Sequence, residues 1–107
     1  TMPASVFSRS TECHNQDKVS MGTIAARDAI RVLELTEQVA AATLLAANQG
    51  VWLRAQAEDA RPLPPALAAM HAELAQDFAP VIEDRALEGE LRLCLQRIAA
   101  QHWRLHA

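Results

Sequence analysis

Apolar residues recur at three- and four-residue steps over most of the chain from Ser20 onward. This spacing places apolar side chains on one face of a helix. In the first stretch the repeating positions are Ala25, Ala29, Val32, Leu33, Thr36, Val39, Ala40, Thr43, Leu44 and Ala47. The pattern predicts an all-α fold with one long helix and two shorter ones. The predicted helices cover residues 20–54, 65–79 and 84–104.

Prolines separate the predicted helices. Pro62, Pro64 and Pro65 follow the first helical pattern, and proline blocks helix continuation but is tolerated in a first turn. Pro80 ends the second pattern for the same reason. Gly89 weakens the first turn of the third helix by up to ~1 kcal/mol relative to alanine.

The first predicted helix is too long for a small globule to cover. At ~1.5 Å per residue it reaches roughly 45 Å, and it carries a small-residue face that includes Ala40, Ala41 and Ala42. Both features favour close packing against other helices. We therefore interpret it as a bundle helix within a larger helical assembly.

Residues 1–19 show neither the helical nor the strand period, and they are rich in Ser, Thr, Asn, Asp and Pro. Loops longer than ~12–15 residues in compact domains are usually functional or disordered. We predict an irregular loop at 1–19 and a helical segment at 20–107. Glu12, Asn15, Gln16 and Asp17 form a polar run shortly before the first helix, where backbone N–H groups are also unpaired.

Composition excludes several classes of protein. The 107 residues have a net charge of −3 without clustered Lys or Arg, which argues against nucleic-acid binding. No apolar run reaches ~18 residues, so no membrane partner is expected. Two cysteines, far apart in the chain, indicate free thiols in a reducing cytoplasm rather than a disulfide framework. We expect a cytoplasmic protein.

No metal site is expected. Cys13 and His14 are adjacent, but side chains of neighbouring residues rarely point together and no second pair has ligand spacing. His102 and His106 have the i,i+4 spacing of a helical zinc pair but lie in a final turn, where a histidine near a helix C-terminus is ordinary dipole chemistry.

The polar run and its surroundings resemble the C-terminal part of the aromatic amino acid ammonia-lyases. The matching stretches are Pro3-Ala4-Ser5-Val6, Glu12-Cys13-His14-Asn15-Gln16-Asp17-Lys18-Val19-Ser20-Met21-Gly22 and Ala25-Ala26-Arg27. This family deaminates His, Phe or Tyr non-oxidatively to the arylacrylate and ammonia. His14-Asn15-Gln16-Asp17 follows the phenylalanine-lyase style, because histidine lyases more often carry a Glu between Gln and Asp.

The resemblance implies roles for three residues of the loop. Glu12 matches a catalytic carboxylate near the substrate amine, where it can hold an ammonium or accept its proton. Asn15 and Gln16 match the family's Asn-Gln pair, whose amides orient the cofactor carbonyl or the substrate carboxylate. The family cofactor is a methylidene-imidazolone made from Ala-Ser-Gly, and a tyrosine serves as base. This chain has no tyrosine and its Ala4-Ser5 is followed by Val6, so we expect the chain alone to be inactive.

The resemblance also implies partners. They are the remainder of the lyase polypeptide, its other subunits in a homotetramer, and a small aromatic amino acid as substrate. Two alternatives remain open at this point. One is a non-catalytic helical oligomerisation module, and the other is a segment of an aminomutase, which shares the lyase scaffold.

Overall fold

The computed structural model describes residue 3 and residues 21–103, and these residues form helices without any strand. Helix α1 spans Gly22–Ala55, α2 spans Pro65–Asp77 and α3 spans Glu88–Ala99. The predicted all-α class, with one long helix followed by two shorter ones, is confirmed. Apart from residue 3, the predicted loop at 1–19 lies outside the described residues.

The chain divides into two compact units, Thr1–Thr36 and Glu37–Ala107. The described part of the first unit is the beginning of α1. Nearly every side chain there is exposed, including the large apolar Ile30 and Leu33. A helix that exposes apolar residues over several turns is normally covered by a partner.

The core of the second unit is small. Its buried residues are Ala41, Leu74, Phe78, Cys94 and Trp103. Seven half-buried side chains pack against them, namely Leu44, Leu45, Met70, Leu91, Leu93, Leu95 and Ile98. The core therefore contains residues from all three helices, together with Trp103, which follows α3 after a short turn.

Most positions of the apolar pattern of α1 are exposed in this chain. Ala41 is the only buried residue of the helix, and Val39 is exposed. Thr36 and Thr43 are exposed, and each hydroxyl donates to the carbonyl four residues earlier at 2.7 Å. In the second unit, the side of α1 that packs in the core carries Ala41, Leu44 and Leu45, so only part of the apolar pattern is covered.

Helix α2 begins at Pro65, as predicted, after Pro64 in an extended conformation (φ −54°, ψ 144°). It ends at Asp77, two residues before the predicted end. Phe78 leaves the helix (φ −126°, ψ 102°) while its N–H still donates to Leu74 O at 2.9 Å. This departure lets Phe78 enter the core before Pro80 stops the chain from continuing as a helix.

Helix α3 is shorter than the predicted range of 84–104. It begins at Glu88. The residues before Glu88 form a connector instead, in which Arg85 donates a hydrogen bond to Ala79 O at 3.2 Å. At the other end, Gln101 adopts a left-handed conformation with φ 51°. The N–H of Gln101 donates to Ile98 O and that of His102 donates to Arg97 O, both at 3.0 Å.

This pair of hydrogen bonds is a Schellman motif. It satisfies two carbonyls at the end of α3 and reverses the chain, so that Trp103 enters the core instead of extending the helix. The left-handed position is normally glycine, because a Cβ there costs about 1–2 kcal/mol. Here glutamine occupies it.

We therefore expect Gln101→Gly to stabilise the chain by about 0.5–1 kcal/mol, since relief of the left-handed strain exceeds the extra chain entropy of glycine. Urea unfolding followed by circular dichroism measures the change. Gln96→Gly is the matched control, because Gln96 lies inside α3 and glycine there should destabilise by about 1 kcal/mol. Equal destabilisation by both variants would contradict the prediction.

Candidate functional site

The three residues predicted to contact substrate, Glu12, Asn15 and Gln16, lie outside the described residues. The structure therefore leaves their predicted roles as predictions. The described residue nearest to them in the sequence, within the first unit, is Met21, immediately before α1. Cys13 and His14 also lie outside the described part.

The beginning of α1 presents backbone N–H groups that have no partner within the helix. Its first turn contains no acidic side chain, and its first intrahelical bond runs from Ala25 N–H to Met21 O at 2.9 Å. The earlier N–H groups of a helix have no intrahelical partner and carry partial positive charge. Beside them lies an open cavity of about 360 Å³ lined by Met21, Gly22, Thr23 and Ile24. Such a helix entrance can bind a carboxylate or orient polar loop side chains.

The second unit contains a separate apolar groove of about 380 Å³. It is lined by Ala42, Leu45, Ala46, Asn48, Gln49, Phe78, Ala79, Val81, Leu87, Glu90 and Leu91. The three polar side chains in this lining already bind other groups of the protein. The groove is therefore an apolar surface without a free catalytic group in its lining.

Gln49 of α1 forms two hydrogen bonds with the connector between α2 and α3. Its Nε2 donates to Val81 O, and Val81 N–H donates to its Oε1, both at 2.9 Å. The primary amide thus pairs with both the N–H and the C=O of one residue, as a neighbouring strand would. Both polar atoms of a half-buried side chain are satisfied, which avoids the cost of an unpaired buried amide.

Asn48 and His71 form a second polar link, between α1 and α2. His71 Nδ1 donates to Asn48 Oδ1 at 2.6 Å. His71 is half-buried, and Asn48 is its hydrogen-bond partner. Its contact is structural, since it ties two helices together next to the core.

Arg85 and Glu90 form a bidentate ion pair in front of α3, with N–O distances of 2.6 and 2.7 Å. The hydrogen bonds from Arg85 lower the pKa of Glu90, and those to Glu90 raise the pKa of Arg85. Both side chains are partly exposed, so solvent screens the pair. Its role is to hold the connector against the first turn of α3.

Cys94 has no features of a nucleophile. It is fully buried, its Sγ faces Ala41 O at 3.9 Å, and burial raises the pKa of its thiol. A buried thiol held in its protonated form is unreactive. Among the described residues, no three His, Cys, Asp or Glu side chains lie close enough together to hold a metal ion.

Residues 1–76 match the family model described as aromatic amino acid lyase. The chain belongs to this family. The match includes the polar loop and α1, which are the parts of the chain that carry the resemblance seen in the sequence. It ends within α2.

Histidine ammonia-lyases from several organisms are similar to this chain. The Caenorhabditis elegans protein is 40% identical over 99 residues, which is 90% of this chain and 14% of that protein. The Burkholderia cenocepacia (strain HI2424) protein is 41% identical over 85 residues, or 75% of this chain and 17% of that protein. The Bos taurus protein is 57% identical over 49 residues, or 46% of this chain and 8% of that protein.

This chain thus spans less than a fifth of the length of these lyases. No solved structure matches it. Over residue 3 and residues 21–103, none of the helices has the length and apolar character needed to cross a bilayer.

The sequence did not reveal the polar links made by Asn48 and Gln49. The one available signal was the break they make in an otherwise Ala- and Leu-rich helix. Their partners are 23 and 32 residues away along the chain, so local spacing could not identify them. In this lyase segment they hold the helices together, and they were not expected to have catalytic roles.

Proposed function

We propose that this chain is the C-terminal segment of an aromatic amino acid ammonia-lyase, which releases ammonia from its substrate without oxidation. The family match over residues 1–76 carries this proposal, because it includes the polar loop as well as α1. We propose histidine as the substrate, because the three relatives described above are histidine ammonia-lyases. The loop sequence His14–Asp17, which follows the phenylalanine-lyase style, had left the choice among His, Phe and Tyr open.

The loop contributes to substrate binding in this proposal. The carboxylate of Glu12 holds the substrate ammonium and accepts a proton from it, since an amine must lose a proton before it can act as a nucleophile. The amides of Asn15 and Gln16 donate to the substrate carboxylate or to the cofactor carbonyl. The methylidene-imidazolone of the family supplies the electrophile when present, and neither Ala-Ser-Gly nor tyrosine occurs in these 107 residues.

Helix α1 contributes to assembly. Its first five turns are mostly exposed and carry Ile24, Ile30, Val32, Leu33 and Leu35. Apolar area of this kind is stabilised by burial at ~25 cal/mol per Å². We propose that the remainder of the lyase polypeptide and the other subunits of a cytoplasmic homotetramer cover it.

A chimera tests the proposal. This chain replaces the matching C-terminal segment of the Burkholderia cenocepacia histidine ammonia-lyase, and urocanate formation from histidine is followed by absorbance. We expect the chimera to deaminate histidine and the 107-residue chain alone to release no ammonia from His, Phe or Tyr. Activity of the chain alone would contradict the proposal. A folded, assembled chimera without activity would also contradict it and would favour a non-catalytic oligomerisation module.

A further inference from the structure

The apolar groove of the second unit lies between α1, the connector after α2 and the beginning of α3. Along α1 it extends from Ala42 to Gln49, a distance of roughly 10 Å at ~1.5 Å per residue. An amphipathic helix that binds in a groove places its apolar anchors at positions i, i+3 or i+4, and i+7, which cover the same distance. The groove therefore has the length that such a helix needs.

The walls of the groove are already fixed in position. Gln49 forms two hydrogen bonds with Val81 at 2.9 Å, and the ion pair of Arg85 with Glu90 holds the connector against α3. Within the groove, the α1 side carries the small residue Ala46, which is exposed. An apolar surface that is open and held in one shape binds a partner without a large cost of ordering.

Charge near the groove is confined to one side. The α1 segment 42–49 contains no charged residue, whereas segment 81–91 contains four acidic residues and one basic residue, which give it a net charge of −3. Within this segment Glu90 is bound by Arg85, and Glu88 is bound by Arg92. Glu83 and Asp84 are exposed and form no salt bridge with any described residue. The groove is thus apolar with an acidic edge, and its potential attracts basic groups.

We propose that this groove is a docking site for an amphipathic helix of a separate protein, with an apolar face flanked by Lys or Arg. The apolar anchors of that helix pack on Leu45, Phe78 and Leu91, and its basic residues lie against segment 81–91. This inference goes beyond the proposed function, which assigns a covering partner only to the first turns of α1.

A synthetic helical peptide tests the site in the 107-residue chain. The peptide carries leucine at positions i, i+4 and i+7 with lysine on both flanks, and its counterpart carries glutamate in place of lysine. Fluorescence anisotropy of the labelled peptides measures binding. The lysine peptide should bind at least about tenfold more tightly at low ionic strength, and added salt should reduce this difference, because exposed charges are screened.

Two leucine substitutions test whether the peptide enters the groove. Ala46→Leu fills part of the groove, and Ala47→Leu makes the same change at the next position, which is outside the lining. Both alanines are exposed and leucine is a good helix former, so both variants should fold. Ala46→Leu should weaken binding of the lysine peptide at least about tenfold, since packed interfaces have no room for extra side-chain volume. Ala47→Leu should bind like wild type.

Charge reversal tests the acidic edge. The double variant Glu83→Lys, Asp84→Lys should weaken binding of the lysine peptide and strengthen binding of the glutamate peptide. The double variant Glu58→Lys, Asp59→Lys is the matched control, because it changes another neighbouring Glu-Asp pair in the exposed connector after α1. Circular dichroism at 222 nm verifies that every variant stays helical.

The docking site is overturned if the two peptides bind equally, if Ala46→Leu and Ala47→Leu have the same effect, or if both charge reversals do. The assembled chimera distinguishes the source of the helix. Binding of the lysine peptide to the chain but not to the chimera would mean that the lyase's own polypeptide covers the groove, and it would overturn the proposal of a separate partner. Peptide binding by the chain does not depend on catalysis, so failure of the docking site and failure of the proposed function can be told apart.

Discussion

Replacing Asn15 or Gln16 with alanine in the full-length lyase is expected to lower turnover by ~10²–10³-fold while the protein still folds and assembles. Loss of one preoriented donor at a developing charge costs about this much. Both residues precede the apolar pattern that begins near Ser20, so the packing of the helices does not depend on them. Steady-state kinetics with histidine, together with size-exclusion chromatography, measures both parts of the prediction.

Glu12→Gln separates charge from shape at the same site. The variant keeps a side chain of the same size that can still form hydrogen bonds, but it removes the negative charge that attracts the substrate ammonium. We expect a smaller and less uniform loss than at Asn15 and Gln16. Gln56→Ala, in the exposed connector after α1, is the amide control and should leave kinetics unchanged. Wild-type kinetics in all three loop variants would mean that the loop is an ordinary solvated connector.

Phe78→Ala is expected to destabilise the chain by about 3–5 kcal/mol, the usual cost of removing a buried aromatic side chain. Phe78 is 3% exposed and is one of only five buried residues in the described part of the chain. It also contributes to the apolar groove and closes the end of α2. Whole domains are stable by only ~5–15 kcal/mol, so the midpoint of urea unfolding should fall sharply.

Ile82→Ala is the control for this substitution. Ile82 lies four residues after Phe78 but is 81% exposed, so its removal should change the free energy of unfolding by less than about 0.5 kcal/mol. A loss at Phe78 no larger than at Ile82 would show that the small core does not determine stability.

Much of the helical architecture follows from local signals. The proline run predicted that α2 begins at Pro65, because proline fits a first turn and no later one. The helical pattern that begins at Ser20 predicted both ends of α1, Gly22–Ala55, to within a few residues. The end of α3 could not be predicted in this way, because the reversal occurs at Gln101, where glycine would have been the expected signal.

The residues discussed for the candidate site also include some that local sequence signals predict and some that they do not. Glu12, Asn15 and Gln16 are predicted site residues because of their order in a motif, which a sequence displays directly. The pairs Gln49–Val81 and Asn48–His71 join residues far apart in the chain, and no local pattern marks them. The apolar groove beside them is formed where the connector after Phe78 is hydrogen-bonded to α1 through Val81 and Gln49.

The sequence by itself determined the helical class, the breaks at the prolines and membership of the lyase family, because backbone preferences and motifs are properties of neighbouring residues. Tertiary structure decided which residues are buried. Ala41 lies in the core whereas Leu33 and Val39 are exposed, although leucine and valine are the more apolar residues. Periodicity states which side chains share a face, but burial requires another element to cover that face, and in the second unit the core covers the side of α1 that carries Ala41, Leu44 and Leu45.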